Sequence, residues 1–575
     1  MAVMFAITFL CLFAAWTLWN IYLISKNYVT ARKIGLPILV CPFDSVSPLW
    51  MLARPVIGPA LRRLPFELGE FVGYSYVGWA WEHRYKLHAR YGPAFTIVSP
   101  GEVHVVVGDV GAAASVLYRW KDFVKNLAIM EGFNMFGPNL VTSDGETWQR
   151  HRRITAPPFN ERNSALVWAE STRQATELLK LWTSPDTIAA MGNIKSATHT
   201  LALNVLSGAA FGKPLPFDSE YRKPEHGHRM SFLDAIHIVT DNIIKSIVID
   251  SARKIPACVM PKSFLRVKTA IRETKSYLTE MVAAERQVYG KGISSDGRQN
   301  LMSNLIKLSE QARLNQGQDE KSPSSKRSWL SDDEILGNLF LYNVAGHETT
   351  ANTLSYSIAL LAAYPDMQDW MIEEIQSVLG SGKHENAPDS IPVYEDTFPR
   401  MKRCLAVMHE TLRLHAPLQG IPRWTGNSSQ SLNIGEKTVL IPPKTAVIVN
   451  IGATHTNPSI WGDDADSWRP PRWIPSTGDS DKEEFLSAPT KDAFFPWASG
   501  PRVCPGLKFS QVEFVAVMAG LFLNHRVEPV LKADETIDDA RRRFVSVVQD
   551  SHMLTTVQMR HPERLKVKWV PIEKK

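Results

Sequence analysis

Cysteine is scarce in this chain. Five occur in 575 residues, at positions 11, 41, 258, 404 and 504, and no two form a CxxC or a Cys/His pair with zinc spacing, which excludes a structural zinc site. Their scatter also excludes a disulfide framework and suits a cytosolic setting. No internal repeat and no long Gly/Ser or Pro-rich linker divides the sequence, so one large unit with appendages is expected rather than an array of small domains. No Gly-rich dinucleotide fingerprint or flavin domain is evident. No basic stripe is interleaved with stacking aromatics, which leaves no case for nucleic acid. The charge is nearly balanced, with 64 Lys and Arg against 58 Asp and Glu for a net +6. That excess suits work beside anionic lipid or an acidic partner, and equally suits plain solubility.

Charge is missing altogether from Met1 to Ser25, a stretch long enough to cross a bilayer as a helix. The basic start and small-x-small site of a cleaved signal peptide are also missing. Residues 1–25 are therefore expected to be a transmembrane signal-anchor, with Trp16, Trp19 and Tyr22 at one interface. Lys26, Arg32 and Lys33 follow it, so the positive-inside rule puts the rest of the chain in the cytosol. Pro37, Pro42, Pro48 and Pro55 predict a stiff, irregular neck over 26–60, ahead of a body over 61–575.

Within that body, β-branched runs broken at Pro100 and Gly101 predict a strand hairpin near 95–109. Helical periodicity dominates from about 145 to 310 and from 331 to 415, while strands gather near 438–450 and in the last thirty residues. The fold expected is mostly α with small β-sheets. Two polar inserts, 315–327 and 476–484, read as mobile surface loops. Ser331 and Glu334 have capping-box spacing, opening a helix that can run to Tyr364. Its length of roughly 50 Å is enough to traverse the molecule.

Five segments carry chemistry. WASGPRVCPG, Trp497 to Gly506, sets Cys504 in a tight turn with Gly500, Gly506 and Arg502. Such a loop can aim N–H groups at a thiolate and offer a base to haem propionates. AGHETT, 345–350, lies inside the long helix, where Gly346 and paired threonines weaken it. One reading is a local opening in which Thr349 and water share hydrogen bonds and Glu348 resupplies protons; the other is threonines bonding back to their own i−4 carbonyls. HETLRLHAP places Glu410 and Arg413 on one helical face, and WRPPRW follows at 468–473. DGETWQRHRR puts Trp148 and Arg152 four apart, both donors only, suited to a propionate or to a plain basic face.

In type and order these segments resemble the cytochrome P450 superfamily, over residues 60 to 570. The family's cysteine loop reads Phe-x-x-Gly-x-Arg-x-Cys-x-Gly, and here Trp497 replaces the Phe, adding an indole N–H that could tune an iron's potential. The resemblance implies the family's fold, haem b between the central helix and the cysteine-loop helix, and Cys504 as axial ligand. It implies Thr349 and Glu348 in oxygen activation, where a buried site needs a proton relay. Trp148, Arg152, Arg423 and Arg502 are implied as propionate partners. Arg472 is implied to join Glu410 and Arg413 in a structural cluster.

The function expected is a haem-dependent monooxygenase that inserts one oxygen atom from O2 into a lipophilic small molecule, in the style of filamentous-fungal secondary metabolism. Its electrons would come from NADPH through a separate cytochrome reductase, with cytochrome b5 as a further donor. The anchor fits the microsomal class, at the endoplasmic reticulum membrane with the body facing the cytosol. The alternatives are a haem-thiolate isomerase or dehydratase, a desaturase or oxidative cyclase, and a non-catalytic haem sensor. Pocket segments implied are 124–138, 236–249, 342–345, 418–421 and 547–553, largely apolar, with Asp241, Asn242 and Gln549 either orienting a polar group or lying on a helix surface or turn.

Overall fold

A computed structural model describes residues 2–65, 68–184, 193–217, 223–251, 260–290, 300–318, 327–380, 392–475, 486–488, 490 and 492–573. The helices that build the site are α1 (Ala2–Arg32), α2 (Pro48–Leu61), α3 (Gly145–Thr155), α4 (Glu161–Thr183), α5 (Ile194–Phe211) and α6 (Phe232–Asp241). They continue with α7 (Lys262–Gly290), α8 (Asp332–Ala363), α9 (Lys402–Leu414), α10 (Leu507–Phe522) and α11 (Ile537–Gln549). A five-stranded sheet has the order β1 (Ile38–Val40), β2 (Ala94–Val98), β3 (Val103–Val107), β7 (Ala446–Asn450), β4 (Gly420–Trp424). Three two-stranded sheets pair β5 (Gln430–Ile434) with β6 (Lys437–Ile441), β8 (His525–Pro529) with β11 (Val567–Pro571), and β9 (Ser551–Met553) with β10 (Val557–Met559).

The mostly helical expectation holds. The hairpin predicted near 95–109 is β2 and β3, paired antiparallel with Phe95 opposite Val106. Both strands are buried almost throughout, which is why their sequence reads as a continuous apolar run rather than an alternation. The insert at 476–484 lies outside the described residues, and so does 319–326 of the first insert, whose start through Gln318 is helical.

Helix α8 is the axis of the body. Its predicted capping box is present, with Ser331 accepting from the Glu334 N–H and the Glu334 carboxylate accepting from the Ser331 N–H. Glu334 also accepts two hydrogen bonds from Arg150 of α3, at 2.7 and 2.9 Å, so one side chain starts the helix and ties α3 to it. From Thr350 to Ala363 every residue is buried, as expected of a helix surrounded by others. α5 packs along it on one side, and α4 bridges α5 to α10.

The N-terminal expectations need correction. Among the described residues no helix is long and apolar enough to cross a membrane, so the transmembrane span over 1–25 is not shown. α1 instead runs unbroken past Lys26 to Arg32. It docks on the β2–β3 turn, where the Asn27 amide donates to the Ser99 carbonyl at 2.8 Å and Ala31 is fully buried. Nor is 26–60 an irregular neck. Pro37 and Pro42 flank β1, but Pro48 opens α2, where the missing N–H costs nothing, and Pro55 and Pro59 lie inside it. Val56 and Ile57 are exposed on this helix, where water can satisfy the carbonyls that the prolines leave free.

Candidate haem site

Cys504 lies just ahead of α10. Its N–H donates to the Trp497 carbonyl at 2.9 Å, closing the loop. Gly500 turns the loop with φ +71°, and a Cβ there would meet the Leu117 carbonyl oxygen at 2.9 Å, so both backbone and space demand glycine. At Gly506 a Cβ would lie 3.8 Å from the sulfur and 3.9 Å from Phe159; this glycine leaves the sulfur uncovered. The sulfur is accessible yet deep in the protein. Burial pushes its thiol pKa up, while the Gly506 N–H and Arg152 pull it back. Coordination to a metal would remove that proton.

Phe159 links the loop to α8, where Tyr342, Ala345 and Thr349 share one face, three and four residues apart. Tyr342 packs edge-on against Phe159 at 5.4 Å, and Phe159 against Phe509 of α10 at 6.4 Å. Within this mostly buried helix Ala345 is exposed. Cys504, Phe159, Arg152 and Tyr342 thus surround one region, a slot.

One end of the slot is basic. Arg502 sits between two indoles, 5.3 Å from Trp120 and 5.0 Å from Trp148, and donates to Asp144, the N-cap of α3. Its Nε and Nη1 are buried with no hydrogen-bond partner, and so is Nε of Arg423. Burial and the neighbouring Arg502 press Arg423 down to about 10. Lys125 completes the group, donating to the carbonyls of Leu140, Val141 and Ser143 at 2.8, 2.8 and 3.2 Å. Among the described residues Asp144 is the one carboxylate bonded into this cluster. Buried guanidinium nitrogens without partners are costly, and two carboxylates with charge-assisted hydrogen bonds would satisfy them. The donor set therefore fits haem, with propionates at Arg423 and Arg502 and the iron at Cys504. Arg152 faces the same slot, its nearest ionisable neighbours being Cys504 and Tyr342.

Lys125 makes this fit pH-dependent. Burial and the adjacent Arg502 and Arg423 press it down to about 7, against the pull of Asp144. A base lowered on folding is penalised while charged, so the penalty is full below about pH 7 and lifts as pH rises toward the ordinary lysine value of about 10.4. Two propionates beside it restore the charged form, so haem uptake above pH ~7 should take up a proton. Haem affinity is expected to fall by up to about tenfold per unit between about pH 7 and 9, and Lys125→Met should flatten the slope. Titrating haem into the haem-free chain across that range checks it.

The structural cluster is assembled as expected. Glu410, fully buried on α9, accepts from Arg413 Nε and Nη2 at 2.8 Å each, from Arg472 Nε at 2.9 Å, from the Arg469 N–H at 2.9 Å and from the Trp473 indole at 3.0 Å. Arg413 Nη1 also donates to the His455 carbonyl at 2.8 Å, and His455 Nε2 accepts the Phe495 N–H at 3.1 Å. Phe495 is two residues before Trp497. The cluster is thereby wired into the cysteine loop.

One expectation is corrected and one open choice is decided. Gly346 does not open the helix: α8 is continuous there, and Gly346 makes room for Leu206 of α5, which a Cβ would crowd at 3.2 Å. Thr349 donates to the Ala345 carbonyl at 2.8 Å, the i−4 back-bond, while Glu348 points away and accepts from Thr556 at 2.7 Å and Thr555 at 3.3 Å. The Trp497 indole donates to Ser510 of α10 at 3.0 Å. Of the polar pocket candidates, Asp241 pairs with His237, Asn242 donates to the Ile238 carbonyl, and Gln549 is exposed at the end of α11. Lys125, Trp120, Asp144, Thr555 and Thr556 were not foreseen. Only Asp144 carried a local signal, an Asp-Gly pair ahead of a helical run.

The sequence model of the cytochrome P450 family matches residues 62–554. A cytochrome P450 monooxygenase of Arthrobotrys oligospora is 30% identical, over 96% of this chain and 96% of its own length. Another, from Penicillium roqueforti, is 29% identical over 86% of this chain and 87% of its own. The phomenoic acid biosynthesis cluster cytochrome P450 monooxygenase of Leptosphaeria maculans is 27% identical over 91% and 92%. With the family model covering most of its length and a relative 30% identical from end to end, this chain belongs to the cytochrome P450 family.

Proposed function

We propose that the chain is a haem-thiolate monooxygenase of secondary metabolism that inserts one oxygen atom from O2 into a lipophilic substrate. The observation that carries it is the pairing of an accessible Cys504 sulfur with the unpartnered nitrogens of Arg423 and Arg502 at one end of the same slot. Haem bound there supplies the iron at which O2 is activated. Cys504 would ligate the iron, Arg423, Arg502, Arg152 and Trp148 would hold the propionates, and Tyr342 and Ala345 would border the substrate. Leu127, Ile129, Ile244 and Leu418 are exposed apolar side chains on the expected pocket segments, which supports a lipophilic substrate. Glu348 and Thr349 are the proton carriers, for which the Thr349 hydroxyl would have to leave the Ala345 carbonyl and Glu348 would draw on the opposite side of α8.

The electrons come from NADPH through a separate reductase, in keeping with the absence of a dinucleotide fingerprint. α1 holds the body to the endoplasmic reticulum membrane on its cytosolic side. Its support is a row of exposed apolar side chains that includes Phe5, Leu10, Phe13 and Trp19, followed by Lys26, Arg32 and Lys33.

The test is mass spectrometry of metabolites from the native host against a strain carrying Cys504→Ala. Loss of a product with accumulation of a precursor lighter by one oxygen is expected. An isomeric pair, or no change, would sink the monooxygenase reading.

A further inference from the structure

On α8, one position before Thr349, Glu348 borders a cavity of about 610 Å³ that is lined by neither Cys504 nor Ala345. The cavity lies among α5, the end of α6 and the β9–β10 turn, and reaches the surface at the exposed Ser196 and Lys245. Its walls mix the apolar Leu203, Leu233, Ile244 and Leu554 with the polar Lys195, His199, Thr200, Asn242, Thr555 and Gln558. Lys195 and Lys245 are balanced by Asp241 and Glu348, so the space suits water rather than a charged ligand.

Glu348 is aimed at this space by a directional chain of hydrogen bonds. His199 Nε2–H donates to Asn352 Oδ1 at 3.1 Å, Asn352 Nδ2–H donates to Thr556 Oγ1 at 3.1 Å, and the Thr556 hydroxyl donates to Glu348 Oε1 at 2.7 Å. Because an ionised carboxylate can only accept and Asn352 supplies the hydrogen on its other side, the Thr556 hydroxyl turns its own hydrogen toward Glu348. His199 stays neutral, pressed down to about 3 by burial and by His347, and so keeps this direction at working pH. An amide in the chain rules out proton relay through Asn352. The chain orients; it does not conduct.

We propose that this cavity is the proton inlet of the enzyme, and that Thr556 is the positioning residue that holds the Glu348 carboxylate against its water. A proton passes from cavity water to a Glu348 oxygen, bulk solvent replaces it through the open mouth, and the carboxyl then gives it up on the Thr349 side of α8. The inference rests on the reading of Glu348 and Thr349 as proton carriers.

Its test uses the full-length haem-loaded protein with its reductase, NADPH and O2, and no organic substrate. O2 leaves either as hydrogen peroxide, taking two electrons and two protons, or as water, taking four of each. Starved of protons, the enzyme releases peroxide. Thr556→Val should raise the ratio of peroxide to water by about tenfold, the low end of what a positioned proton donor contributes, and Thr556→Ser should restore it. Thr200→Trp, which fills part of the cavity, should raise it as well. Carbodiimide coupling of an amine to Glu348, read by peptide mass spectrometry, gives an independent measure: labelling should fall several-fold in Thr200→Trp.

If Glu348→Gln leaves the peroxide ratio unchanged, the proton-carrier reading fails. If Glu348→Gln raises it while Thr556→Val and Thr200→Trp do not, the inlet is refuted and that reading stands. Failure of serine to rescue would reduce Thr556 to a packing residue, a result that thermal unfolding of each variant would then show as lost stability.

Discussion

Replacing Glu410 with alanine should cost the protein about 3–5 kcal/mol and with it the capacity to retain haem, because the buried Arg413 guanidinium loses its counter-charge and Arg472 loses one of its two carboxylates. Arg413 is about 1% exposed and has no water to turn to. Arg472 would keep the Asp464 carboxylate at 3.2 Å, and Arg413 would keep three carbonyls, those of His455, Ala465 and Ser467. Neutral carbonyls do not balance a buried cation. Glu410→Gln preserves shape and one acceptor, so it should fall between wild type and alanine. Urea unfolding of the three proteins, followed by tryptophan fluorescence and by haem absorbance, checks both claims. Haem absorbance should be lost at lower denaturant than fluorescence, since the cysteine loop hangs from the cluster through His455 and Phe495. Coincident losses in Glu410→Ala would contradict that wiring.

The second large effect is expected at Gly337, in the first third of α8. A Cβ there would lie 2.3 Å from the Gly137 carbonyl oxygen and 2.7 Å from that of Pro138. Gly137 in turn holds φ +132° and would drive its own Cβ to 2.0 Å from the Asp333 carbonyl oxygen. Two backbones cross in contact, and both glycines are needed. Backbone cannot rotate away as a side chain can, so Gly337→Ala should cost about 3 kcal/mol, the upper end for overpacking. It should also push the 124–138 segment off the helix and weaken ligand binding. Gly111→Ala is the control: it sits in a helix of ordinary φ with its nearest contact at 3.4 Å, and should be neutral or stabilising by a few tenths of a kcal/mol. Differential scanning calorimetry of the pair, with spectral titration of any type of ligand that perturbs the haem, measures both effects.

What could be read from the sequence follows from how local each signal is. The cysteine loop, the capping box at Ser331 and the Glu410–Arg413 pair each lie within one turn or loop, so residue type and spacing suffice. The β2–β3 hairpin was legible for the same reason. Lys125 was not, because its role depends on Arg502 and Arg423, hundreds of residues away. Gly346 misled, since a helical glycine beside threonines looks the same whether it opens the helix or admits a leucine from α5. Glu348 and Thr349 are adjacent in sequence, but a helix separates neighbours by about 100° of rotation. Which of two faces each serves was settled by the β9–β10 turn, and nothing local to AGHETT announces that turn.

That turn carries a consequence for the order of folding. The Trp81 indole donates to the Ser551 carbonyl at 3.1 Å, Tyr356 bonds the Ser551 hydroxyl at 2.7 Å, and Thr556 holds Glu348. The central helix is thus braced by partners about two hundred residues further along the chain, and Trp81 by one 470 residues away. Contacts of such separation carry the largest loop-closure cost and form after the local helices and hairpins. The brace is therefore among the late events of folding, and a body lacking it keeps its helices while the far side of α8 stays open.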